Sequence, residues 1–423
     1  IDDYKLREVF EKIEMPLIEI LAAIEDWGIK IDKNSLKKLN RAITQRTKKL
    51  TRQICESAGE EFNLNSPKQL GYIIFEKLKL GNSRVKKTRG GQKSTAEDIL
   101  EELAPNHPII KLILEYRDGF KIKSTYVLPM LKLTDNQDRL HSNFIQTGTA
   151  TGRLSSQKPN LQTIPQESIW AQNLRSAFLA PPNKTLVAID YSQLELRLLA
   201  HVSGDKKLKQ AFIENQDIHR LTASQVFNLP MEKIDADMRR IAKTMNFGII
   251  YGMGARSFSK VSGLPMEAAT RFIKEYFEGF PGVKIWQDNI KMEVKTFGFI
   301  TNINGRRRWF LNSLSGRPDF DHEFERAAIN MPIQSFEADI IKLAMIETFK
   351  ILKERGWLYD KAKLVLTIHD ELLFEISNDI LKTAIELLVK SLENIYPLDV
   401  PLLVEVKTGQ NLQEMKKYSE KFY

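Results

Sequence analysis

Apolar residues recur at helical spacing near the start of the chain, at Leu17, Ile20, Leu21 and Ile24, so residues 1–60 are predicted to be helical with a break at Trp27-Gly28. Ser66 followed by Pro67 marks another helix start, and Ser94 or Thr95 is expected to cap a further helix. The pattern then changes. Leu186-Val-Ala-Ile189 is a short continuous apolar run, a buried strand by its length, and it ends in Asp190. Ser192-x-x-Glu195 follows and satisfies the capping-box pattern. Residues 264–300 read as helical segments around Phe280-Pro281-Gly282. Between Leu364 and Ile376, two β-like apolar runs flank His369-Asp370-Glu371, the pattern of a hairpin with acids at its tip.

One helical stretch differs from the rest. From Arg239 to Gly254 the chain reads RRIAKTMNFGIIYGMG, with Asp235 and Asp237 suited to its N-terminus. Arg239, Lys243, Phe247 and Tyr251 are four apart, and each step of four drifts about 40° around a helix axis. One face therefore carries two cations and then two rings. Cations hold polyphosphate and a ring packs on a sugar or base, so this face has the chemistry of a nucleoside triphosphate site. Spacing alone also describes an amphipathic helix with a basic rim, and composition by itself favours that plainer reading.

Composition narrows the classes. The 423 residues suffice for two or three domains, and 63 Lys and Arg against 54 Asp and Glu leave a net charge of +9, compatible with a polyanionic partner. A single cysteine, Cys55, excludes an internal disulfide and a cysteine-rich zinc site. No apolar run reaches about 18 residues and the first residues lack a signal-peptide core, so the expectation is a reduced, soluble, cytoplasmic protein with no membrane partner. Asp190, at a strand end, suits a hard cation such as Mg²⁺. Residues 141–165 are rich in turn-formers and short polar side chains, fit to lie along a minor groove. The basic stretch from Leu80 to Ser94 offers phosphate contacts, as does the Gly305-Arg-Arg-Arg-Trp309 cluster. Plain loops and solvated charge account for these stretches as well.

The spaced pattern Arg239-x-x-x-Lys243-x-x-Asn246-Phe247-Gly248-x-x-Tyr251-Gly252 resembles the nucleotide-binding fingers helix of the family A DNA polymerases, the bacterial DNA polymerase I type. DYSQLELR from Asp190 resembles that family's first metal motif, and HDEL from His369 the second. TGRLSSxxPNLQ from Thr151, DIH from Asp217, ERAAxNxPxQ from Glu325 and FNLNSPKQL with KKTRGGQKST resemble further family segments. The likeness runs from MPLIEIL at residue 15 to Val406.

The resemblance implies an α+β right-hand fold: an antiparallel palm sheet bearing the acids, helical fingers and a helical thumb. The expected division is 1–30 as the end of a preceding domain and a palm-edge helix, 31–128 thumb, 129–202 palm, 203–320 fingers and 321–423 the rest of the palm. It implies two Mg²⁺ ions held by Asp190, Tyr191 and Asp370, with Asp190, Asp370, Glu371 and Lys243 catalytic. Arg239, Lys243, Phe247, Tyr251, Gln193, Glu195 and His219 would form the dNTP pocket, Glu195 closing the space of a ribose 2′-OH. Arg153, Asn160, Gln162, Arg326, Asn330, Gln334 and His369 would contact the primer-template near the reacting end. Asn63, Asn65, Ser66, Lys87, Ser94, Thr95, Arg117 and Lys121 would contact duplex DNA in the thumb.

The activity implied is template-directed DNA synthesis by a monomer, without a proofreading domain in these residues. The chain departs from the pattern at Thr163 (usually Asn), Asn304 (usually aromatic), Thr367 (usually Gln) and Ser335-Phe336-Glu337 (usually small residues). It also lacks a Trp after Gly409. A single-subunit RNA polymerase or reverse transcriptase, a catalytically dead DNA-binding relative and a basic helical DNA-binding protein are the rival readings. Glu195 with Phe247 and Tyr251 argues against ribonucleotide use, and the acid-ended strand and HDE turn against the non-catalytic ones.

Overall fold

The computed structural model describes residues 2–81, 91, 93–310, 318–368 and 370–419. Its frame is an antiparallel sheet of five strands: β1 (Lys184–Tyr191), β2 (Ala362–Ile368), β3 (Glu371–Ser377), β4 (Val404–Gly409) and β5 (Lys416–Lys417), ordered β5-β4-β1-β3-β2. β1 is therefore central, with β3 on one side and β4 on the other. The HDE hairpin is confirmed as β2 and β3, with Glu371 opening β3 rather than sitting at the tip.

Alternation along β1 divides the core. Val187, Ile189 and Tyr191 enter the largest apolar cluster, with the Met15–Trp27, Leu194–Ser203 and Leu381–Glu393 helices and most of the Pro318–Glu354 helix. Leu186 and Ala188 enter a second cluster with Ile29, Leu36 and Phe178. A strand buried on both faces must be apolar throughout, which explains the unbroken Leu186–Ile189 run.

A separate apolar cluster joins Leu50, Ile54, Leu70, Ile73, Ile110 and Ile113 from helices within residues 33–121. Asp32 begins its long Lys33–Ala58 helix by accepting from the Asn34 and Ser35 amides. Ser66 caps Pro67–Gly71 as predicted. Ser94 and Thr95 do not cap: the Glu97–Leu103 helix starts from Ala96, whose amide donates to Ser94 Oγ at 3.2 Å. Helices Ile218–Phe227, Ala236–Ile250, Met266–Gly279 and Pro281–Phe297 form the layer opposite the strand end, the last two breaking at Phe280 where the sequence placed the break. No helix among the described residues is long and apolar enough to cross a membrane.

Candidate active site

Asp190 stands at the exit of β1, where the register sets it opposite Glu371 on β3 and Glu405 on β4. Its Oδ1 is buried without a hydrogen-bond partner. Burial first, then the charges of Asp370 and Glu371, push its carboxyl up to about 7, while Lys407 pulls the other way. Burial also raises Glu371, against Lys407 and Arg175. Acids held together with an orphaned oxygen call for a cation, and an all-oxygen donor set suits a hard one such as Mg²⁺. Among the described residues no three acidic, His or Cys side chains form a metal cage. A pair of carboxylates completed by main-chain, water and substrate oxygens is the usual protein share for Mg²⁺, so Asp190 and Asp370 fit it. Tyr191 differs: its hydroxyl donates to the Leu392 carbonyl at 3.0 Å inside the core, leaving only its main chain for a metal.

The turn after β1 corrects the capping-box expectation. The Leu194–Ser203 helix begins from Gln193 in the left-handed region (φ 54°, ψ 40°), with no side-chain cap. A non-glycine residue there carries strain that its surroundings must offset. Arg197 supplies part of that restraint: its guanidinium donates to the Ser192 and Pro401 carbonyls at 2.8 and 2.6 Å and lies 4.7 Å from the Phe212 ring. Glu195, released from capping, accepts from the Tyr251 hydroxyl at 2.6 Å and from Arg153 at 3.0 Å.

The facing helix is built as its sequence predicts. Asp235 caps Ala236–Ile250 through the Met238 amide, and Tyr251 closes it as the C-cap residue. Asp217 caps Ile218–Phe227 with one oxygen and accepts from Arg239 Nε at 2.7 Å with the other. His219 is 3% exposed. Its Nδ1 accepts from Asn246, and its ring lies 5.9 Å from that of Phe247. Burial, with Arg239 and Lys243 nearby, lowers it to about 4, so it is neutral at physiological pH.

These elements enclose one cavity of about 650 Å³. It brings together Asp190, Tyr191, Gln193, Glu195, His219, Arg239, Lys243, Phe247, Tyr251, Asp370 and Arg153, every nucleotide and metal residue named from the sequence except Glu371. One end is acidic, the other cationic and aromatic. The sequence reading missed Glu405, brought in only by the β1–β4 register, and met Glu337 only as a departure.

The remaining predicted contacts are spread out. Asn160 and Gln162 line a neighbouring cavity with Arg153. Arg326 is exposed and reaches the Tyr251 carbonyl at 3.3 Å, over Gly252, where a Cβ would stand 3.1 Å from its side chain. Asn330 and Gln334 are half-buried on the same long helix, Asn330 Oδ1 without a partner. Asn63, Asn65 and Lys121 are exposed, with Ser66 at its helix start. Thr95 is 7% exposed and accepts from Arg117 through both its hydroxyl and its carbonyl, so those two chiefly hold each other. Lys87 and His369 lie outside the described residues.

An antiparallel sheet presenting acids at its central strand end, faced by a helix of cations and rings, defines a right-hand polymerase fold. The family model for DNA polymerase family A matches residues 33–414. The chain is 42% identical to the thermostable DNA polymerase I of Thermus filiformis over 415 residues, 98% of this chain and 49% of that protein. It is 43% identical to DNA polymerase I of Deinococcus radiodurans over 418 residues (98% and 43%) and 42% identical to that of Bacillus subtilis over 411 (97% and 46%). The chain thus spans about half the length of these curated relatives. Among solved structures, the POL domain of Pol1 from M. smegmatis, in complex with DNA primer-template and dNTP, superposes with a TM-score of 0.92 at 33% identity, covering 98% of this chain and 72% of that one. The chain belongs to DNA polymerase family A.

Proposed function

We propose that these residues carry out template-directed DNA synthesis, joining a deoxynucleotide to a primer 3′-OH. The observation that carries this reading is the single cavity in which the Asp190–Asp370 pair meets Arg239, Lys243, Phe247 and Tyr251. The bond formed is from the primer 3′-oxygen to the α-phosphorus; the bond broken joins that phosphorus to the pyrophosphate, which leaves. Asp190, the Tyr191 main chain and Asp370 would hold two Mg²⁺ ions, whose chemistry is to acidify the 3′-OH and clamp attacking and leaving oxygens.

Arg239 and Lys243 bind the β- and γ-phosphates, and Lys243 either protonates the departing pyrophosphate or acts through its charge alone. Neutral His219, buried against Asn246, donates a hydrogen bond from its other ring nitrogen to a phosphate oxygen. Phe247 packs on the sugar, Tyr251 against the template base, and Glu195 fills the space a 2′-hydroxyl needs. Gln193 lines the pocket at the turn, and Glu371 adds negative charge beside Asp190. Arg153, Asn160 and Gln162 bind the primer end; Arg326, Asn330, Gln334 and His369 the template side; and the 63–121 residues and Lys87 the upstream duplex.

On this reading 31–128 is the thumb, 129–202 and 321–423 the palm and 203–320 the fingers, in a monomer acting in cytoplasmic DNA replication and repair. The primer-template and dNTP bound by the M. smegmatis relative support these partners.

The test is extension of a labelled DNA primer with Mg²⁺ and either dNTPs or rNTPs. Extension with dNTPs alone supports the reading. No extension from either pool, with primer-template bound, points to a binding protein.

A further inference from the structure

Among the described residues, Arg153 and Glu337 are the two side chains that line both the 650 Å³ cavity and a second, adjoining one of about 260 Å³. The second cavity is bordered by Asn160, Gln162, Thr163 and Thr367, on the side where the primer end is placed. Three positions that depart from the family pattern, Thr163, Thr367 and Glu337, therefore meet at one place: two side chains shorter than usual and one longer and charged.

The added carboxylate is not idle. Glu337 is 5% exposed on the Pro318–Glu354 helix, and its Oε2 accepts from Arg153 Nη2. The same nitrogen donates to Glu195 Oε1 at 3.0 Å, and that oxygen accepts the Tyr251 hydroxyl at 2.6 Å. An unbroken relay, Glu337–Arg153–Glu195–Tyr251, thus crosses from the primer cavity into the nucleotide cavity. One guanidinium serves two buried carboxylates, an arrangement costly for stability, whereas its neighbour Phe336 fills the core in the ordinary way against Tyr396.

We propose that Glu337 is a positioning residue for sugar selection, holding Arg153 so that Glu195 stays on the Tyr251 hydroxyl over the place a 2′-OH would occupy. With Glu337 present, Arg153 is divided between two acids. Without it, Arg153 turns wholly toward Glu195, draws Oε1 off Tyr251 and opens the 2′ side. The inference rests on the polymerase reading of the site.

The experiment is single-nucleotide incorporation of a dNTP and its matching rNTP by wild type, E337A, E337Q, E195A and the E195A/E337A double variant. The readout is the ratio of the two kcat/KM values. E337A is expected to lower the dNTP-over-rNTP ratio about tenfold, the scale of one hydrogen bond to a charged group. E337Q, which keeps an acceptor but not the charge, is expected to lower it about threefold, and it carries the test alone if circular dichroism shows E337A unfolded. In the E195A background, E337A should change the ratio no further, because its effect passes through Glu195.

A merely structural role would reduce both incorporations by the same factor. That result, an unchanged ratio in the folded variants, or an equal change with and without Glu195 would overturn the proposal. If wild type extends from neither pool, the polymerase reading itself has failed. A selective wild type with an E337A ratio equal to that of wild type is the failure of this inference alone.

Discussion

The Tyr251 hydroxyl donates a 2.6 Å hydrogen bond to Glu195 Oε1, joining the end of one helix to the start of another 56 positions away in sequence. Burial and this bond hold the Tyr251 phenol well above its ordinary range, so it remains a donor at any working pH. Tyr251→Phe removes the donor and keeps the ring. Ribonucleotide discrimination should fall by about tenfold, from the loss of one charge-assisted hydrogen bond, with folding unchanged. Parallel kcat/KM measurements with dNTP and rNTP check it, and unchanged discrimination would show that the bond does not place Glu195.

Asp190 combines a catalytic assignment with a stability penalty. Its folded-state value of about 7 lies above the ordinary 3.8, so the unfolded chain gives up this proton first and stability is lost as pH rises through that window. Asp190→Asn should therefore stabilise the metal-free protein at pH 8 relative to wild type while abolishing incorporation. Millimolar Mg²⁺ should raise the Tm of wild type and leave the variant nearly unmoved. Thermal melts at pH 5 and 8, with and without Mg²⁺, decide this: a variant no more stable than wild type at pH 8 counts against the strained acidic pair.

Asp370→Asn should abolish incorporation and leave primer-template affinity largely intact, because Asp370 lines the 650 Å³ cavity and not the neighbouring one proposed to hold the primer end. A gel-shift titration beside a primer-extension assay separates the two. Loss of DNA binding in proportion to activity would refute the assignment.

Lys243 is exposed within the cavity, on the same face as Arg239. Lys243→Ala should lower kcat by about 10²- to 10⁴-fold if it acts as the proton donor. Arg239→Ala, which removes a guanidinium held by Asp217 at 2.7 Å and proposed to bind phosphate, should mainly raise the dNTP KM. The reverse pattern in steady-state kinetics would exchange their roles.

Away from the chemistry, Arg306 bridges Asp339 at 2.6 Å and Glu14 at 2.5 Å, and Glu14 also accepts from Lys342 at 2.6 Å. Asp339 is fully buried and Lys342 is 1% exposed. Asp339→Ala would leave buried cations in excess and should destabilise the fold by about 3–5 kcal/mol. Denaturant unfolding measures it, and a loss below about 1 kcal/mol, the level of a surface pair, would mean the network is solvated.

Local signals that operate within one element were legible from residues alone. The Arg239–Tyr251 face, the cap at Asp235, the apolar strand ending in Asp190 and the HDE hairpin all follow from periodicity and end chemistry, which act over a few residues. Readings with two local explanations were the ones that went astray. Ser192-x-x-Glu195 satisfies a capping box, yet Gln193 takes the turn and Glu195 bonds elsewhere. Ser94 and Thr95 are competent caps, but Thr95 is buried against Arg117.

The sequence by itself determined, through motifs that resemble those of the family, which residues are candidates for polymerase chemistry, because each motif lies within one helix or strand end whose spacing the backbone sets. Only the tertiary structure decided which of them meet. Asp190 and Asp370 come together because β1 pairs with β3, and Glu405 faces them because β1 also pairs with β4. Glu337, a mere departure in the sequence, becomes a partner of Arg153 across 184 positions. Contacts of that range depend on which strands and helices pack against one another, and packing is settled by the summed burial of the core rather than by any one segment.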